Sequence, residues 1–232
     1  LHTVENDFQK AEFLEGFALV FYDLTDYNRA FTHAKRALEI KENAVILSES
    51  MENEVELLPI LKLLGDLATA TRSYDNAKKY FERIVSVATK FAKDWQRFTL
   101  DASDFSTSSL DADQQMVGEE AVLDPFLAIA QTRLAVIHLY TNDFKNGRRY
   151  FNRGIAVMKR VYGNCHPELS HAYAEYASIL KQFKNVRQFY DEINTLFKEA
   201  VDIDRKLYTD NAIVVIERLD DWGVSLLAQG KF

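Results

Sequence analysis

A chain of 232 residues, 47% of them hydrophobic, can bury a sizeable core, and its 3 Pro and 8 Gly are too few for a turn-rich all-β fold. No run reaches the roughly eighteen apolar residues that a membrane helix requires, so membrane insertion is not expected. The net charge is −7 and the basic residues come as scattered pairs, such as Lys35-Arg36, Lys78-Lys79 and Arg148-Arg149. Phosphate tracking needs a concentrated basic stripe, which argues against nucleic acid and anionic membrane as ligands.

Cys165 is the only cysteine and there is no Asn-x-Ser/Thr sequon. An internal disulfide is thereby excluded, and the expected setting is a reducing, intracellular one, the cytoplasm first. The chain opens at Leu1, without Met, Arg-rich presequence or signal-like run. That start is read as a cut or processed edge from which targeting information has been removed.

Taken in order, residues 8–45 place Leu14, Phe17, Ala18 and Phe21 at helical spacing. Tyr27, Ala30, Phe31, Ala34, Ala37 and Leu38 follow at the same spacing after a break at Thr25-Asp26, where Asp26 is expected to cap the second helix. Residues 55–93 repeat the arrangement, with Leu61, Leu64, Gly65 and Ala68 in a first helix and Tyr74, Ala77, Tyr80, Phe81 and Ile84 in a second. Residues 99–122 are acidic and rich in Ser and Asp, and are read as an insertion between units. Asp111 to Val122 is a candidate helix within it, and Ser106, Thr107, Ser108 and Ser109 are candidate phosphorylation sites. Residues 124–163 form a third pair around Leu134-Ala135, His138, Gly147 and Phe151, ended by Gly163. Residues 167–208 form a fourth around Tyr176-Ala177, Leu180, Phe197 and Ala200, about one helical turn longer in its middle. Residues 211–232 hold Leu219, Trp222, Gly223 and Leu226, a first helix without a second.

These patterns resemble the tetratricopeptide repeat. That family asks for Leu-Gly or Leu-Ala, an apolar residue three on, Ala after the turn and Phe four later. Leu64-Gly65, Ala68, Ala77 and Phe81 match it, and so, with Gly for Ala, do Leu134-Ala135, His138, Gly147 and Phe151. The small residues Ala18, Gly65, Ala135, Ala177 and Gly223 are spaced by 47, 70, 42 and 46, longer than the plain repeat. The Gly163, His166, Pro167 turn resembles that between kinesin light chain-like repeats. The resemblance implies an all-α, right-handed α-solenoid of antiparallel helix pairs spanning 1–232.

No enzyme signature accompanies it. Cys165 with His166 and His171 lacks both the orienting third group of a nucleophile site and the four ligands of a structural zinc. Glu168 to His171 lacks the first His of the two-histidine zinc helix, and there is no phosphate-cradling loop or Gly-x-Ser-x-Gly elbow. Neither catalytic nor metal residues are assigned, and no cofactor is expected. The aromatic stripes Tyr74, Tyr80, Phe81, Tyr150, Phe151, Tyr190 and Phe197 are read as core, with Phe81 and Phe151 sealing helix pairs.

In such arrays the first helix of each pair lines a concave groove, and the resemblance assigns its partner-binding positions. They are Glu12, Glu15 and Tyr22; Lys62 and Asp66; Arg133 and Tyr140; His171, Glu175 and Lys181; and Glu217, Asp220 and Asp221. Leu19, Thr69, Thr132, Val136, Ser178 and Val224 complete the exposed set. Of the family's carboxylate clamp only Arg133 survives, the other positions being Glu15, Leu19, Leu63 and Ile129, which argues against chaperone-tail binding. The groove Asn residues of cargo-binding kinesin light chains are likewise replaced, by Thr132-Arg133, Ala174-Glu175 and Asp220-Asp221.

The expectation is a non-catalytic adaptor or assembly factor holding a peptide or helix of basic or mixed charge. The alternatives are a structural subunit packing through convex or end surfaces, with self-association through the last helix, and a regulatory domain of a larger enzyme.

Overall fold

The computed structural model describes residues 2–48, 52–100, 125–183 and 185–230, with side chains placed for 7–46, 54–90, 125–183 and 185–230. All regular structure among them is helical. The elements are α1 His2–Asp23, α2 Tyr27–Ser48, α3 Glu52–Val55, α4 Leu58–Ala70, α5 Tyr74–Leu100, α6 Pro125–Tyr140 and α7 Phe144–Tyr162. After these come α8 Pro167–Leu180, a 3-10 turn at Val186–Phe189, α9 Tyr190–Leu207 and α10 Ile213–Ala228. The acidic stretch expected at 99–122 lies outside the described residues, except for Thr99 and Leu100, which belong to α5.

Helices pair through one recurring turn. After α1, α4 and α6 the chain places Thr25, Arg72 and Asn142 at φ 59, 58 and 60°. At each, two amides fold back on the helix end: Thr25 and Asp26 onto Tyr22 and Phe21, Arg72 and Ser73 onto Thr69 and Ala68, Asn142 and Asp143 onto Leu139 and His138. This is the double hydrogen bond of the Schellman motif, here without its usual glycine. Side-chain caps then start the next helix, Asp26 Oδ1 accepting from Arg29 N–H at 3.2 Å and Asp143 Oδ1 from Asn146 N–H at 3.2 Å.

Between α7 and α8 the turn differs, as expected from Gly163 and Pro167. Gly163 has φ +79°, outside the comfortable range of L side chains, and Pro167 opens α8. His166 is explained by capping: its ring accepts from Glu168 N–H at 3.2 Å and stacks on Tyr162 at 4.1 Å. The extra turn expected in the fourth unit does not lengthen its helices. It is spent in the connection, as the 3-10 turn ahead of α9.

Two cores share one spine. Leu58, Leu61, Leu64, Phe81 and Ile84 gather α1, α2, α4 and α5, while Phe151, Tyr173, Tyr176, Ile193 and Phe197 gather α7, α8 and α9. Helix α6 serves both, giving Ala130, Leu134 and Ile137 to the first and Ala128, Ala135, Val136 and Leu139 to the second. A helix enclosed on both sides needs an apolar surface all round, and its sequence PFLAIAQTRLAVIHLY has no polar face.

Two glycines set the closest approaches. A Cβ on Gly65 would lie 2.6 Å from Phe81 Cζ, which is why a small residue stands where α4 and α5 cross. Gly154 is tighter against backbone, its Cβ falling 2.6 Å from Thr132 Cγ2, 3.0 Å from Thr132 N and 3.2 Å from Ala128 O. Gly147 is looser, its nearest neighbour being Leu139 Cδ2 at 3.1 Å.

His138 is buried at the α6–α7 turn, stacked on Tyr150 at 5.2 Å, with Nδ1 3.1 Å from Asp143 Oδ2. Burial, then Lys78, lower its pKa, while Asp143 and Glu82 only partly oppose them. The unfolded chain therefore takes up a proton near pH 6.5 that the folded chain refuses, and stability falls as pH drops through that value. Asp143 acts in the same direction at lower pH, outside the histidine window, because hydrogen bonds from Asn146 hold its carboxyl below the usual range. Melting temperature is expected to decline from about pH 7.5 to about pH 5.5, and His138→Phe to flatten that decline. An unchanged slope in the variant would remove His138 from the account.

Candidate functional site

The first helices α1, α4, α6, α8 and α10 each carry groove positions assigned from the sequence. Four of those side chains come together as a charge ladder. Lys62 Nζ donates to Asp66 Oδ2 at 2.8 Å within α4, Asp66 Oδ1 lies 3.5 Å from Arg133 Nε in α6, and Arg133 in turn pairs with Glu175 in α8. These side chains are 15–35% exposed, so the ladder lies at an accessible surface. Burial opposes the Arg133 charge, and Glu175 and Asp66 more than offset it, raising its pKa further. Tyr22 of α1 lies at the near end, its hydroxyl pKa raised by burial and then by Asp66.

Other assigned residues are held by their own fold. Glu15 is paired at 2.6 Å with Lys41, a lysine only 3% exposed that also donates to Glu56 O at 3.1 Å. Tyr140 stacks on Tyr74 at 4.8 Å. Burial, then Tyr74 and Glu175, raise its pKa. Lys181 donates to the Asp221 carbonyl at 3.1 Å and lies 5.2 Å from the Phe197 ring centre, tying α8 to α10. Glu12, His171, Glu217 and Asp220 are exposed, and Asp221 is half-buried.

Thr132 and Val136, expected on the open face, are buried at 6% and 4% exposure. Periodicity misplaces them because α6 is covered on both sides. Thr132 instead fills the space left by Gly154, a contact that sequence reasoning missed. The one available signal was a glycine inside an amphipathic helix, where it costs about 1 kcal/mol unless packing requires it.

An apolar depression of about 190 Å³ opens beside the ladder, lined by Glu15, Leu19, Pro59, Ile60, Lys62, Leu63 and Phe126. It sits where α1, α4 and α6 meet, and Leu19 beside it is 51% exposed. Such a site can take a bulky apolar side chain and offers the ends of Glu15 and Lys62 to a polar one. No group of three or more His, Cys, Asp or Glu is placed to hold a metal among the described residues. None of the described helices is long and apolar enough to cross a membrane.

Three comparisons bear on this arrangement. The tetratricopeptide repeat family pattern matches residues 60–91, the stretch containing Gly65 and Phe81. Among curated proteins, a clustered mitochondria protein homolog from Debaryomyces hansenii is 29% identical over 91 residues, covering 39% of this chain and 7% of that protein's length. The chain thus spans a small fraction of that relative.

Among solved structures, BtubC (BKLC) from P. vanneervenii matches with a TM-score of 0.59 at 13% identity, over 99% of this chain and 85% of that one. The nearly identical TPR-like repeats of a Podosopora anserina kinesin light chain-type protein match with a TM-score of 0.58 at 14% identity, over 95% and 87%. The apo form of RapI gives 0.61 at 11%, over 96% and 70%. At such identities the likeness is one of fold. Residues 60–91 therefore match the tetratricopeptide repeat pattern, and the chain is, in fold, a tetratricopeptide-type α-solenoid.

Proposed function

We propose that this solenoid is a non-catalytic adaptor or assembly factor that holds a peptide or helix of a partner protein along its first helices. The observation that carries the reading is the ladder Lys62, Asp66, Arg133 and Glu175, which aligns three successive first helices into one accessible polar track beside an apolar depression. Apolar anchoring gives affinity, and fixed charges give register.

The charge balance refines the partner's chemistry. Glu15, Asp66 and Glu175 are neutralised by Lys41, Lys62 and Arg133. Arg133 is thus committed to two carboxylates of its own chain, which argues further against a carboxylate clamp. Glu12 at one end and Glu217 and Asp220 at the other are exposed and make no ion pair among the described residues. A segment of mixed charge, with its basic residues over α10, fits this distribution.

Glu175 is a poor probe because its replacement would strand Arg133. Glu217→Lys with Asp220→Lys changes only exposed side chains and is expected to leave the melting temperature unchanged. Affinity capture with this variant and the wild type, from an intracellular lysate enriched in mitochondria, is expected to lose the groove partner from the variant alone. The relative's name motivates that choice of lysate. Identical captured sets would count against the groove. Association of the chain with itself, abolished by Ile216→Ser with Leu227→Ser in α10, would favour the structural reading.

A further inference from the structure

An exposed apolar surface lies outside the groove. Phe13, Phe17 and Val20 on α1, and Leu24 immediately after it, are 73, 55, 54 and 66% exposed. Ala11 and Ala18, on the opposite side of the same helix, are fully buried against the array. The exposed four follow one another at intervals of four, three and four residues, the spacing of a coiled-coil seam. Single exposed apolar residues are ordinary, but an aligned stripe over three turns is an interaction surface.

The stripe has shape as well as polarity. Gly16 lies beside it, and a Cβ there would meet nothing within 4 Å. With Gln9, Glu12, Phe13, Phe17 and Val20 it lines an open depression of about 590 Å³. A notch between large side chains on a helix surface is the hole into which a facing helix inserts a knob.

Its borders select the occupant. On the helical wheel Glu12 and Asp23 lie along the Gly16 side, both exposed and in no ion pair among the described residues, and Lys10 lies on the other. A second copy packed antiparallel would set the acidic border against itself. We propose that the outer face of α1 docks one amphipathic helix of a partner protein, its apolar seam flanked by Lys or Arg on the edge that meets Glu12 and Asp23. The site is separate from the groove and rests on none of its residues except Glu12, which lies between the two.

The test uses the whole chain and two synthetic helical peptides of about five turns, each with a leucine seam, one flanked by lysines and the other by glutamates. Fluorescence anisotropy is expected to show the lysine-flanked peptide binding about tenfold more tightly. Phe13→Ser with Val20→Ser, changes at exposed positions, should weaken binding by about tenfold or more. Gly16→Leu fills the notch and should weaken it similarly while the melting temperature holds or rises. Failure of the lysine-flanked peptide to bind, equal binding of both, or indifference to these variants would overturn the proposal. So would a dimer seen by sedimentation equilibrium and abolished by the Phe13 and Val20 substitutions, since the occupant would then be a second copy.

Discussion

Truncation of Phe81 to alanine is expected to lower stability by about 3–5 kcal/mol, the largest effect of any single change considered. The ring is fully buried and fills the space above Gly65, so its loss opens a cavity at the crossing of α4 and α5. Gly65→Ala should cost about 1–3 kcal/mol by itself, because the added Cβ would meet the ring edge at 2.6 Å. In the Phe81→Ala background that clash is gone, and the same substitution should be neutral or recover up to about 1 kcal/mol through helix propensity. Denaturant melts of the two single variants and the double measure this coupling. Additive losses would mean that the pair does not define the crossing.

Gly154→Val ranks second, with an expected cost at the upper end of about 1–3 kcal/mol. Here the obstacle is not a ring that can tilt but the backbone of α6, with Thr132 N at 3.0 Å and Ala128 O at 3.2 Å from the added Cβ. α7 must move away from the spine that both cores share. Gly147→Ala is the control, since its closest neighbour is the end of a leucine side chain and the family places Ala there. The same melts should show little change for Gly147→Ala and a large one for Gly154→Val. Equal effects would show that helix propensity, not close approach, decides both.

Local chemistry was legible in the sequence. Asp26 caps α2, Gly163 takes positive φ, Pro167 opens α8 and Gly65 meets Phe81, each because a residue type has few physical uses at its position. Phe151 shows the limit of such reading. It is buried as expected, but it stacks on Tyr176 at 4.1 Å and so seals α7 against the next pair. Which neighbour a buried ring meets is fixed by how pairs stack, and periodicity along one helix does not carry that.

The charge ladder was not legible in the sequence as a set of contacts. Arg133 and Glu175 are 42 residues apart, and Glu15 and Lys41 pair across the first turn from different faces of the pattern. Charge partners of this kind follow only from three-dimensional stacking. Thr132 and Val136 were misplaced for a related reason: a helix with no polar face offers periodicity no direction to choose.

The most direct test of the account asks which face meets the partner. A photo-crosslinking residue is placed at His171 or Asp220 on the first helices, and at Asn152 or Lys198 on the second, all exposed positions. Crosslinks to one partner from His171 and Asp220, with none from Asn152 and Lys198, are the predicted result. Crosslinks from the second helices alone would contradict it and place the working surface on the other side of the solenoid.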